Sequence, residues 1–128
     1  LLVDVRLAVR CKAVTGWLDQ SCGLVFRYRD AQNYYVVRAN ALEDNVRFYK
    51  VADGLRQQLA SWSGPVNTGA WHELLVEARG DHVTVFWDGQ QVLEAHDQTF
   101  RDPGQIGLWT KADSVTYFDE LRVDALGE

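Results

Sequence analysis

The 128-residue chain is long enough for one domain with its own core, and 47% hydrophobic against 24% charged residues excludes a disordered, low-complexity segment. A formal net charge of -5 argues against a binder that works by neutralising nucleic-acid phosphates, which normally carries a basic face. No apolar run approaches the roughly 18 to 20 residues needed for a membrane-crossing helix, so no membrane insertion is expected.

The predicted elements are strands throughout. LLVDVRLAVR alternates, with Val3, Val5, Leu7 and Val9 on one side and Asp4, Arg6 and Arg10 on the other, the period of a strand with one wet face. After the polar connection TGWLDQS, CGLVFRYRD sets Leu24, Phe26 and Tyr28 against Val25, Arg27 and Arg29. YYVVRANA and VRFYKV follow, separated by ALEDN, and both are rich in β-branched and aromatic residues. LRQQLASW contains good helix formers, but its short Gly turn from the preceding strand favours a fifth strand. SGPVNTG is a loop. WHELLVEARGD is a strand, and HVTVFWDGQQVLEAHD is two strands joined at Asp88-Gly89, a hairpin dipeptide. Past the DPG turn, QIGLWT and SVTYFDELRV are the last two strands. Phe118 and Leu121 cannot share one face of a regular strand, so a β-bulge is expected near Asp119 and Glu120. Short strands with turns between them and no long amphipathic helix predict a single all-β domain over 1-128, an antiparallel sandwich or barrel.

Cys11 and Cys22 are the only cysteines. They are either two buried thiols or one disulfide across a hairpin. A structural zinc site is not expected, because neither CxxC nor an added histidine cluster occurs and His72, His82 and His96 lack metal-pair spacing. No nucleophile elbow, phosphate loop or dinucleotide fingerprint is present. Canonical glycoside hydrolysis needs two carboxyl groups at most about 9.5 Å apart, and Glu73 and Glu77, four residues apart on one face, exceed that reach. Asp113, Asp119 and Glu120 are the remaining candidate catalytic acids, with Asp119 also a candidate calcium ligand.

The stronger expectation concerns a surface. Arg27, Arg38 and Arg47 lie in three successive strands, each opposite an inward apolar set, and Asn40 and Tyr49 share the parity of Arg38 and Arg47. Ile106 and Leu108 point inward, which turns Trp109 outward with Lys111 and Asp113 close behind it. Guanidinium forks, amides and an aromatic ring suit the hydroxyl edges and C–H patches of a sugar. The competing reading pairs the arginines with Asp30, Glu43 and Asp44 as ordinary surface ion pairs. Trp62, Trp71 and Trp87 are expected in packing roles, and Trp17 as an exposed platform or a lid.

The runs GLVFRYRDAQNYYVVRANALEDNVRFYKV, WHELLVEARGD, DGQQVLEAHD and GLWTKADSVTYFDELRV resemble bacterial concanavalin A-like, laminin-G-like jelly-roll domains of the 3-keto-disaccharide hydrolase-like family, over roughly residues 3 to 123. The resemblance implies a two-sheet jelly roll whose concave face holds carbohydrate, in a bacterial protein that is periplasmic or secreted. It also implies residues before Leu1, in keeping with a chain that has no methionine, and hence an open sheet edge inviting a homodimer. Saccharide binding is therefore the expected function, with a glycosidase acting on (3-keto-)disaccharides and a structural or assembly module as alternatives.

Overall fold

A computed structural model describes residues 1–127. All ten expected strands form: β1 (Val5–Thr15), β2 (Ser21–Asp30), β3 (Asn33–Asn40), β4 (Asn45–Ala52), β5 (Leu55–Ser63), β6 (His72–Arg79), β7 (His82–Trp87), β8 (Gln90–His96), β9 (Gln105–Trp109) and β10 (Val115–Ala125). They make two antiparallel five-stranded sheets, in the orders β10-β1-β6-β7-β8 and β5-β4-β3-β2-β9, and the fold is a jelly-roll sandwich. The helix formers of LRQQLASW are overridden by pairing with β4, which supplies the partner a short isolated helix would lack.

The core lies between the sheets. Val5, Leu7, Val9, Leu74, Val76, Val83 and Val85 face Leu24, Phe26, Tyr35, Val37, Val46 and Phe48. At the β7–β8 hairpin, Asp88 and Gly89 both take positive φ, 50° and 83°, as a tight turn between twisted strands requires. Cys11 and Cys22 form a disulfide, but it does not cross a hairpin: β1 and β2 belong to different sheets, so the bond staples one sheet to the other.

Two of the bulges bear on the expected surface residues. In β10, partners step from Arg122 to Asp119 while β1 steps from Ala8 to Arg10, and Glu120 has φ 51°, which places the bulge at the expected position. The second falls in β2, where alternation alone predicts none. Partners on β9 step from Gly107 to Gln105 while β2 steps from Val25 to Tyr28, and Arg27 has φ 47°. From there the parity of β2 is reversed. Tyr28 turns to the outer face to pack against Tyr34, and Arg27 turns in.

Candidate functional site

Strand register lines up one row of side chains across the outer face of the β5-β4-β3-β2-β9 sheet. Trp109 pairs with Gly23, Gly23 with Arg38, Arg38 with Arg47, and Arg47 with Ser61. Directly opposed residues point to one face, so the row is a consequence of the backbone alone. Gly23 is the residue the row needs there: a Cβ at that position would sit 3.0 Å from the Trp109 ring and 3.1 Å from the Val37 carbonyl oxygen, so the bare backbone makes room for the indole. Val25, Val36 and Tyr49 form a small apolar floor in the neighbouring rows, with Tyr28, Tyr34 and Trp109 packed on it.

Arg38 is only 4% exposed and lies deepest in the row. It donates to Asn45 Oδ1, to Glu43 Oε2 at 3.1 Å and to the Tyr49 hydroxyl at 3.2 Å. Arg47, more open, donates to the same hydroxyl at 3.3 Å and to Ser61 Oγ at 3.2 Å. Glu43 stands at the β3–β4 turn with 45% of its side chain exposed. Its Oε2 accepts from Arg38 and Asn45, while Oε1 has no hydrogen-bond partner among the described residues. Burial pushes the Glu43 carboxyl up, but the Asn45 amide and the charges of Arg38 and Arg47 outweigh it and hold the group below its ordinary range. Burial likewise opposes ionisation of Tyr49, and the hydrogen bond from Arg47 with the two guanidinium charges lowers its pKa on balance. The result is an ionised carboxylate, fixed by one oxygen, with the other free to accept.

Of the expected surface residues, the structure brings Arg38, Arg47, Tyr49 and Trp109 together and separates the rest. Arg27 is 1% exposed, and the β2 bulge sends its guanidinium into the end of the sandwich. There it donates to the backbone oxygens of Val3 and Phe100, both at 3.0 Å, and to Asp4 at 3.4 Å. Burial lowers its pKa, and the charge of Asp4 opposes that. Asn40 keeps the right parity but is sealed beneath the β1–β2 loop, donating to Asp19 and accepting from the N–H groups of Gln20 and Leu42. Lys111 is exposed on the β9–β10 connection.

The candidate catalytic acids do not assemble. Asp113 accepts the N–H groups of Trp17, Leu18 and Asp19 at 2.7, 3.1 and 3.2 Å, and the first of these bonds does most to hold its carboxyl below the usual range. It clamps the β1–β2 loop. Asp119 and Glu120 lie on β10, in the opposite sheet, where Asp119 accepts the Glu120 N–H at 2.9 Å and Glu120 faces Arg10 at 3.9 Å. Of the tryptophans, Trp87 is buried and donates to the Pro65 oxygen, and Trp62 packs on the core. Trp71 instead is partly exposed beneath Arg10. Trp17 is 94% exposed and is no lid over the sandwich.

Sequence reasoning treated Glu43 as a partner that would neutralise the arginines and missed its open oxygen. The available signal was its position at the tip of a hairpin whose strands oppose Arg38 and Arg47. A cavity of about 430 Å³ lined by Gly80, Asp81, Gln98 and Arg101 lies elsewhere, at the β6–β7 turn, and contains none of these groups.

Residues 2–124 match the sequence pattern of the 3-keto-alpha-glucoside-1,2-lyase-like domain. The chain belongs to that family. Over 86 residues it is 35% identical to a levanase from Bacillus subtilis strain 168, a stretch covering 66% of this chain and 13% of the levanase. Among solved structures it resembles the carbohydrate-binding module CBM66 from Bacillus subtilis, with TM-score 0.86 and 27% identity over 96% of this chain and 76% of that one. Sheep galectin-11 in complex with glycerol shares the fold at TM-score 0.72 and 10% identity, over 96% of this chain and 91% of the galectin.

Proposed function

We propose that this family member is a carbohydrate-binding domain, and that its saccharide lies along the row on the outer face of the β5-β4-β3-β2-β9 sheet. Trp109 offers the apolar platform, Arg47 the accessible donors, and Glu43 Oε1 the acceptor, with Arg38 and Tyr49 fixing the other two from beneath. The observation that carries this is the half-used carboxylate: Glu43 is anchored through Oε2 alone and stays ionised. A carboxylate oxygen beside a guanidinium matches the acceptor and donor needs of adjacent sugar hydroxyls. Trp17 extends the platform from the loop that leads into β2, clamped to the Lys111–Ser114 turn by Asp113.

Binding is favoured over turnover because no pair of candidate acids stands on this face, and a carboxyl held low, like that of Glu43, is a poor proton donor. The levanase relative makes levan the first ligand to test, and the family description adds 3-keto disaccharides. Calorimetric titration with levan, sucrose and 3-keto disaccharides should show binding that Arg47→Ala removes, with product analysis of the same mixtures detecting any cleavage. Failure of every saccharide to bind, or undiminished binding by Arg47→Ala, would overturn the assignment. The disulfide fits an oxidising, exported location, and secretion of the intact protein with the Cys11–Cys22 bond formed is the expected outcome. A homodimer would use the β10 edge, which exposes Val115, Tyr117, Leu121 and Val123; sedimentation should then show a dimer that a charge at Leu121 dissociates.

A further inference from the structure

The outer face of the opposite sheet carries a second cluster. His82 on β7 pairs directly with His96 on β8, and Glu94 lies two residues before His96 on the same face. The pairing depends on a bulge. At the Asp88-Gly89 turn Trp87 opposes Gln90 and Phe86 opposes Gln91, but beyond that point Val85 opposes Leu93, so Val92 is an extra residue. Without it His82 would oppose Ala95 and His96 would fall on the other face. With it, the two imidazoles stack, their centroids 4.6 Å apart and their planes 7° apart.

The donor atoms converge. One ligand-type atom each from His82, Glu94 and His96 lies within 4.8 Å of the others. His82 Nε2 is shielded from solvent with no hydrogen-bond partner, and stands 3.6 Å from Glu94 Oε2, too far for a hydrogen bond. His96 Nδ1 faces Asp81 Oδ1 at 3.4 Å, an arrangement that leaves Nε2 for another partner and resembles the carboxylate–histidine pairs behind metal-ligating imidazoles.

We propose that His82, Glu94 and His96 bind one divalent transition-metal ion of the zinc type, with Asp81 orienting His96 as a positioning residue. Two imidazoles and one carboxylate are a zinc donor set, and an ion with bonds of about 2.0–2.2 Å needs tetrahedral donors about 3.3 Å apart. The side chains must close by up to about 1.5 Å, and all three are partly exposed. Hard cations are disfavoured, because calcium and magnesium take mainly oxygen donors. The ion would clip β7 to β8, on the sheet opposite the proposed saccharide row and independent of it.

The test titrates zinc into the chelator-treated full chain by calorimetry, with cobalt in its place to read coordination from the visible spectrum. One equivalent should bind, and the melting temperature should rise. His82→Ala and His96→Ala should each weaken binding by at least about tenfold, and Asp81→Asn by less. His72→Gln, which alters the histidine beside Asp88, should leave the titration unchanged, and calcium should bind at none of these positions. Circular dichroism confirms that each variant is folded before titration. Absence of stoichiometric zinc uptake by the wild-type chain, or uptake that survives the His82→Ala/His96→Ala double variant, would overturn the proposal. Saccharide titrations with and without chelator should agree, so the metal site and the saccharide site stand or fall separately.

Discussion

Arg27 and Arg38 are both almost fully enclosed, both in the same sheet, and they do opposite things. Arg27 is surrounded by fixed partners: two backbone oxygens and Asp4, which also accepts the Gly80 N–H at 2.9 Å. Gly104 closes the region from above, its backbone so near the bulge that any Cβ there would collide with the Arg27 main chain. Arg38 also has three partners, but two of them, Glu43 and Tyr49, are shared with Arg47, and Glu43 opens to solvent. A buried arginine held by backbone oxygens of two distant segments, with one acid beside them, is a structural plug. One whose partners are all side chains, two of them shared with a more open arginine, suits the base of the proposed recognition site.

The contrast is broken most directly by truncating each arginine. Arg27→Ala strands the Val3 and Phe100 carbonyls and leaves a cavity, at a cost of about 4 kcal/mol. Denaturant titration should show that loss, while saccharide affinity of the folded fraction stays unchanged. A loss below about 1 kcal/mol would mean water replaces the guanidinium and that the plug is not structural.

The disulfide comes next. Cys22 precedes Gly23 on β2 and points into the core, so the bond holds the strand that pairs with the Trp109 strand β9 without touching that face. Cys11→Ala/Cys22→Ala should cost about 3 kcal/mol by loop entropy, measured by chemical denaturation, with saccharide affinity preserved at temperatures where the protein is folded.

Arg38→Ala should show the inverse of Arg27→Ala. Asn45 and Glu43 can be rehydrated through the open side, so the stability loss is about 1–2 kcal/mol, whereas affinity should fall by at least about tenfold, or 1.4 kcal/mol. Unchanged affinity would make Arg38 a second plug and remove the distinction.

The strands were plain in the sequence because period-two alternation and turn residues such as Asp88-Gly89 are local signals. So were Arg38, Arg47, Tyr49 and Trp109, which lie in regular stretches where parity holds. The failures trace to bulges and to distance along the chain. One extra residue in β2 reversed the side of Arg27 and Tyr28, and the partners that enclose Arg27 come from Val3, Asp4 and Phe100. One extra residue in β8 brought His96 onto the face of His82, where spacing alone showed scattered histidines. Asp113 stands among the candidate catalytic acids in the sequence because nothing in its neighbourhood announces the loop almost a hundred residues earlier whose N–H groups it collects. Of the two readings open for Cys11 and Cys22, the bonded one assumes a hairpin for the same reason: assignment of β1 and β2 to different sheets is a property of the whole topology.

The smallest expected effect, and the sharpest, is on pH. The folded-state pKa of Glu43 lies below its ordinary value of about 4.3. The ion network therefore contributes its full stability above the unfolded value and loses it as pH falls through the lower folded value. Because the side chain is substantially exposed, solvent screens most of that contribution, and the change in stability should be slight. Binding is the more sensitive readout, since protonation removes the charge that aligns Arg38 and Arg47. Saccharide affinity should thus be flat from neutral pH down to the ordinary carboxylate range and fall only below it. Glu43→Gln should bind more weakly at pH 7 and lose the acid limb altogether, while Asp119→Asn, on the opposite sheet, should retain both. An acid limb that persists in Glu43→Gln would assign the titrating group to another carboxylate and detach Glu43 from the ligand.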